Sequence, residues 1–227
     1  MQHTENEIGQ GETIRSVVLG FNDGLVTTLA IVIGITSVIT QNTIIILIGL
    51  AEMMAGAISM ALGNYISLKS QIDFYKSAIR REKWEIEKMP AAERAEVYEI
   101  YHKKGFRGSL LAKIVKHITS DKKRWLDIMM KEELELSDKF ENPIKSAVVI
   151  FFAFVVASLI PIIPFIFMPL NAAIPLAVAA SVIFLFCSGA IKSKFTKISW
   201  LRSGMETLII GIVATSVVYY IGTLISA

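Results

Sequence analysis

The chain has 227 residues, a formal net charge of +3, one cysteine and 19% charged residues, with a mean hydropathy of +0.56. Soluble domains carry about 25% charged residues, so this composition argues against a soluble domain. One cysteine cannot build an intrachain disulfide, and basic residues interleaved with acids give no support for a nucleic-acid surface.

The first dozen residues are polar and acidic (Glu5, Glu7, Glu12) and lack the basic and short apolar regions of a cleavable signal peptide. Insertion is therefore expected from the first long apolar segment itself. A membrane-spanning helix needs about 20 largely apolar residues, and five segments qualify. The first covers 14–40 and contains Asn22 and Asp23; after the uncharged turn Gln41-Asn42, the second covers 43–68 and contains Glu52. The third covers 144–167, the fourth 173–191 and the fifth 204–226, with Glu206 near its start. Backbone groups in lipid must be satisfied within the segment, and no period-two alternation is present, so these are helices. Cys187, in the fourth, is expected to be a small buried hydrophobe.

Most charges lie between 69 and 145. The chain thus divides into a tail with two spans (1–69), a charged insert (70–142) and three further spans (143–227). Within the insert, 70–88 reads as a continuation of the second helix, broken at Met89-Pro90, because proline suits the first turn of a new helix. Three helices are expected next, over 91–103, 109–118 and 121–139, with a turn at Gly105 and Gly108 and a cap at Ser120 or Asp121. The expected fold is an all-α membrane protein, five spans with a three-helix insert between spans two and three. Lys192, Lys194, Lys197 and Arg202 fall on the same side as the insert. The positive-inside rule places both in the cytoplasm, with the N-terminus.

Asp23 lies about nine residues, roughly 13 Å, into the first span. An ionisable group at that depth marks a functional pathway by default, and no basic residue lies in a span to pair with it. On the second span, Glu52, Gly56, Met60 and Gly63 share a face through steps of four, four and three. A hard carboxylate and a soft thioether together suit a borderline divalent transition metal; taken alone, Met60 reads as a lipid-facing or packing residue. Gly20 and Gly24 form a GxxxG pair, and Ala55, Ser59 and Gly63 a second small-residue stripe, both pointers to a dimer interface.

In the insert, Glu82, Glu85, Met89, Glu93 and Glu96 recur at helical spacing, and Met129, Met130 and Glu133 lie within one turn of each other. Like charges so placed repel unless a cation neutralises them; Lys83, Lys88 and Arg94 also allow a simple solvated face. Glu99 and His102 form a single Glu-x-x-His where a di-iron bundle needs two. No nucleophile–base set, phosphate loop or Cys/His zinc pattern occurs, so an enzyme is not expected.

Arg15-Ser-Val-Val-Leu-Gly-Phe-Asn-Asp-Gly-Leu-Val-Thr-Thr and Ala51-Glu-Met-Met-Ala-Gly-Ala-Ile-Ser-Met-Ala-Leu-Gly-Asn-Tyr resemble the first two helices of the vacuolar iron transporter family. Arg81-Glu-Lys-Trp-Glu-Ile, Pro90-Ala-Ala-Glu-Arg-Ala-Glu-Val and Met129-Met-Lys-Glu-Glu-Leu resemble its cytoplasmic metal-binding domain. The resemblance implies a homodimer of five-span protomers exporting Fe2+, with Mn2+ or other divalent metals, from the cytosol in exchange for protons. It implies no prosthetic group; the metal is cargo. It places Asp23, Glu52 and Met60 on the transport pathway, and Glu82, Glu85, Glu93, Glu96, Met129, Met130 and Glu133 as metal ligands. The membrane would be the plasma membrane of a prokaryote or the vacuolar membrane of a eukaryote. The alternative from another class is a metal-sensing or scaffold membrane protein whose insert binds metal without transport.

Overall fold

The computed structural model describes residues 2–134, 140–196 and 198–226, with side chains from residue 13 onward except at 195–196, 222 and 225–226. The described residues form eight helices: α1 Gln2–Ile35, α2 Asn42–Lys88, α3 Pro90–Lys103, α4 Gly108–Thr119, α5 Lys122–Glu132, α6 Pro143–Phe167, α7 Leu170–Thr196 and α8 Trp200–Ser226. Five of them, α1, α2, α6, α7 and α8, are long and apolar enough to cross a membrane. The chain divides into two compact units: residues up to Ile66 with those from Glu141 onward, and Ser67–Phe140.

In the first unit, the ends of the helices are written in local chemistry. α1 stops where Thr36 and Ser37 turn their hydroxyls onto the carbonyls of Ile33 and Gly34 (2.6 and 2.7 Å), satisfying acceptors the helix leaves open. Asn142 caps α6 by accepting from the amides of Ile144 and Lys145, with Pro143 in the first turn where its missing N–H costs nothing. α1 and α6 form the tightest pair. A Cβ at Gly20 would lie 2.6 Å from the Ile150 carbonyl oxygen, and one at Gly24 2.5 Å from that of Phe154, so only glycine admits this backbone approach. Ser158 Oγ ties the seam by donating to the Gly24 carbonyl at 3.1 Å. Around it, Leu25, Ala157 and Leu185 join α1, α6 and α7. Leu29, Val32, Ile45, Ile162, Phe165 and Ala177 build a second core that includes α2.

The second unit has its own core of Ile86, Val97, Leu111, Val115, Ile118, Trp125 and Met129. α4 is its most amphipathic element: Leu111, Val115 and Ile118, spaced four and three, are buried. Gly105 and Gly108 both have positive φ (99° and 56°), which makes the α3–α4 turn. Asp121 caps α5 by accepting from the Arg124 amide at 2.8 Å.

Four expectations change. The first candidate span covers Thr13–Ile35, so it starts as expected but ends at Ile35 and not at 40, while its helix extends back to Gln2 because polar residues outside the apolar stretch extend a helix whose nucleus already exists. α5 ends at Glu132; the expected continuation to 139 falls partly on 135–139, outside the described residues, as does Lys197. Gly20 and Gly24 face α6 of their own chain and are used there. Cys187 is exposed on α7; an apolar run shows that a residue avoids water but not whether it meets protein or lipid.

Candidate metal site

The turn at Met89-Pro90 decides the geometry. α2 ends at Lys88 and α3 begins at Pro90, so Glu82, six residues before the break, and Glu93, in the first turn of α3, are folded towards each other. Glu133, at the C-cap of α5, completes the group. One carboxylate oxygen from each of Glu82, Glu93 and Glu133 lies within 4.8 Å of the others. Among the described residues this is the one such gathering of three or more His, Cys, Asp or Glu side chains.

The electrostatics of this trio are unfavourable without a cation. Glu82 is 1% and Glu93 4% exposed, and Glu82 Oε1 and Glu93 Oε2 are buried with no hydrogen-bond partner. Burial raises the Glu82 carboxyl to about 8, with help from its hydrogen bond to Glu93 and from the charges of Glu133, Glu93 and Glu85. Burial likewise raises Glu93, opposed by the hydrogen bond to Glu82. Glu133 is raised by partial burial and by Glu96, Glu93 and Glu85, with Arg81 pulling the other way. A hydrogen bond between two carboxyls needs one shared proton. The arrangement could hold a proton or a cation, and three such oxygens suit a divalent ion.

The remaining residues expected at the site divide. Glu85 and Glu96 stand outside the trio but act on it by charge; Glu85 also pairs with Arg81 at 3.7 Å. Met129 is wholly buried in the hydrophobic core of the unit beside Ile86 and Val97, and Met130 is 4% exposed. His102 stacks on Tyr98 (5.9 Å between ring centres) and joins no carboxylate cluster.

In the membrane-spanning helices, Asp23 is exposed on α1, and its carbonyl accepts from Thr27 Oγ1 at 2.7 Å. Its neighbour Asn22 accepts from Ser188 of α7 at 2.5 Å. Glu52 and Met60 are both half-buried on α2. Asp23 and Glu52 do not enter a gathering of three carboxylates. The sequence reading passed over a chain of polar contacts among α1, α2 and α6: Asn64 Nδ2 donates to Ser146 Oγ (2.8 Å), which meets Ser16 Oγ (2.9 Å), which donates to Glu141 Oε1 (3.0 Å). An amide inside an otherwise apolar stretch, Ala61-Leu-Gly-Asn64-Tyr, was the available signal.

The profile of a family described as the VIT family matches residues 14–223. A protein named vacuolar iron transporter from Centaurea cyanus is 36% identical over 222 residues, covering 96% of this chain and 90% of its own length. Vacuolar iron transporter 1 of Arabidopsis thaliana is 34% identical over 219 residues (96% and 88%). A Plasmodium falciparum protein, also named vacuolar iron transporter, is 29% identical over 236 residues (99% and 86%).

Proposed function

The chain belongs to the VIT family, and from that membership we propose that it is an integral membrane carrier of Fe2+, and of divalent ions of like chemistry such as Mn2+, out of the cytosol. The observation that carries the reading is the trio of buried Glu82 and Glu93 with exposed Glu133, on a chain whose other unit holds helices fit to cross a membrane. Two buried carboxyls with unsatisfied oxygens are costly to fold, and a divalent cation removes that cost.

In the proposed cycle the insert faces the cytoplasm and collects metal. Glu85 and Glu96 add negative charge around the trio, and Met130 is the softer ligand on α5. Asp23 and Met60 then hold the ion within the membrane, and Glu52 exchanges it for a proton. Protonating a carboxylate is inexpensive in an apolar medium, since the charged form is the one that burial penalises. That step couples metal leaving one way to protons entering the other. The carrier works as a homodimer, which is consistent with the open stripe Ala55, Ser59 and Gly63 on α2: all three are exposed, and nothing lies within 4 Å of a Cβ built on Gly63. A monomer mass by light scattering in detergent would remove that part of the proposal.

Cells challenged with excess Fe2+ test the whole. Those expressing the chain should survive concentrations that stop control cells, and Asp23→Ala should abolish the protection while the protein still reaches the membrane. Equal protection by the variant would turn the reading towards metal storage by the insert.

A further inference from the structure

Helix α2 is held differently from its neighbours. α1 and α6 interlock backbone to backbone at Gly20 and Gly24. α2 instead rests on side chains: a Cβ at Gly49 would meet Ile162 Cγ1 at 3.0 Å and Val32 Cγ2 at 3.1 Å, and one at Gly56 would meet the Phe154 ring. Side-chain contacts of this kind can slide or repack, whereas carbonyls seated against glycine cannot.

Side-chain hydrogen bonds from α2 to α6 are made by two asparagines. Asn64 donates to Ser146 Oγ at 2.8 Å, and through it joins Ser16 of α1 and Glu141. Asn42 donates to the carbonyls of Phe165 and Met168 at 3.0 and 2.7 Å. Phe165 needs such a donor, because the residue four places on is Pro169, which has no N–H. The two asparagines stand 22 residues apart, about 33 Å and about 40° around the helix, so they share one face at two ends of a span. Between them that face is buried: Ile45, Met53, Ala57 and Ala61 are all under 9% exposed.

We propose that Asn64 and Asn42 are positioning residues for transport: two latches, one at each end of the apolar stretch of α2, that release in turn as the α1–α6 pair moves against it. This rests on the carrier reading above. A carrier must open to one side at a time, and a helix bearing Glu52 and Met60, with an asparagine amide joined to α6 at each end of its apolar stretch, meets that need. With both latches closed, as here, the face between them is shut from either side.

Met53 lies 11 residues from each asparagine on the same face and is 7% exposed, so Met53→Cys in a Cys187→Ala background reports opening. Membrane-impermeant thiol reagents are applied to the full-length protein in vesicles from one side and then the other. Asn64→Ala should speed labelling about fivefold from the side bearing the insert and leave the other side unchanged; Asn42→Ala should do the reverse. Unchanged rates, or equal acceleration from both sides, would overturn the proposal by showing simple loosening. A second pair guards against misfolding of the alanine variants. Bridging Asn64→Cys to Ser146→Cys with a short thiol cross-linker should stop Fe2+ flux until the bridge is reduced, and flux undiminished by the bridge would overturn the latch. Labelling needs no metal, so wild-type vesicles without Fe2+ flux would count against the carrier reading alone.

Discussion

Glu82 carries a prediction of two opposite signs. Glu82→Gln removes one buried charge from a trio of acids, so the metal-free protein should become more stable near pH 8, by about 1 kcal/mol or more. The same change should weaken divalent metal binding at least about tenfold, since even partners outside the ligand set commonly matter by that much. Thermal unfolding and calorimetric titration of the full-length protein measure the two effects; a loss on both counts would make Glu82 a structural residue. The pH dependence follows from the raised carboxyl at about 8. The folded state holds a proton that the unfolded chain, near 4.5, gives up. Stability of the metal-free protein is then full at about pH 4.5 and is lost as the pH rises towards 8. Metal must displace that proton, so affinity should climb over the same window, with about one proton released per ion. Titrations in two buffers of different ionisation heat detect the release, and an affinity flat from pH 6 to 8 would contradict it. Spacing marked Glu82, Glu85, Glu93 and Glu96 as a stripe that a cation or a solvated face would explain equally, and only the family resemblance named them, with Glu133, as ligands; Glu85 and Glu96 stand outside the trio. Periodicity on two helices cannot say which acids meet once Pro90 has turned the chain.

At the scale of the element, the apolar segments and the proline break were readable because each has a local cause: length in lipid, and a residue that cannot continue a helix. Glycine was not, because its meaning lies in what stands opposite. Gly24 and Gly63 look alike in sequence, each in a small-residue stripe. The first presses on the Phe154 backbone and the second meets nothing within 4 Å. Gly24→Ala should therefore cost about 1–3 kcal/mol through forced separation of α1 and α6. Gly63→Ala should leave the single chain as stable or slightly more so, from its better helix propensity. Melting temperatures in detergent decide between them, and equal losses would show that the α1–α6 seam is looser than described. Met129 teaches the same limit. Its place beside Glu133 allowed a ligand or a packing residue, and its side chain packs in the core with Ile86 and Trp125, a contact set by elements far apart in sequence.

For the whole molecule, the sequence foretold the helices, the five among the described residues that are fit to cross a membrane, and the family. It missed the polar chain from Asn64 to Glu141, which is assembled from α1, α2 and the start of α6 and has no local signature beyond one amide among apolar residues. In the proposed cycle the acidic trio of one unit gathers metal and Asp23 of the other holds it within the membrane, so metal must cross the membrane. Fe2+ uptake into proteoliposomes under an imposed pH gradient, wild type against Asp23→Ala, tests this most directly. Saturable Fe2+ flux with protons moving the opposite way is expected in the wild type, and neither movement in the variant. Wild-type vesicles that bind Fe2+ but carry none, or a variant that carries it as fast, would contradict it.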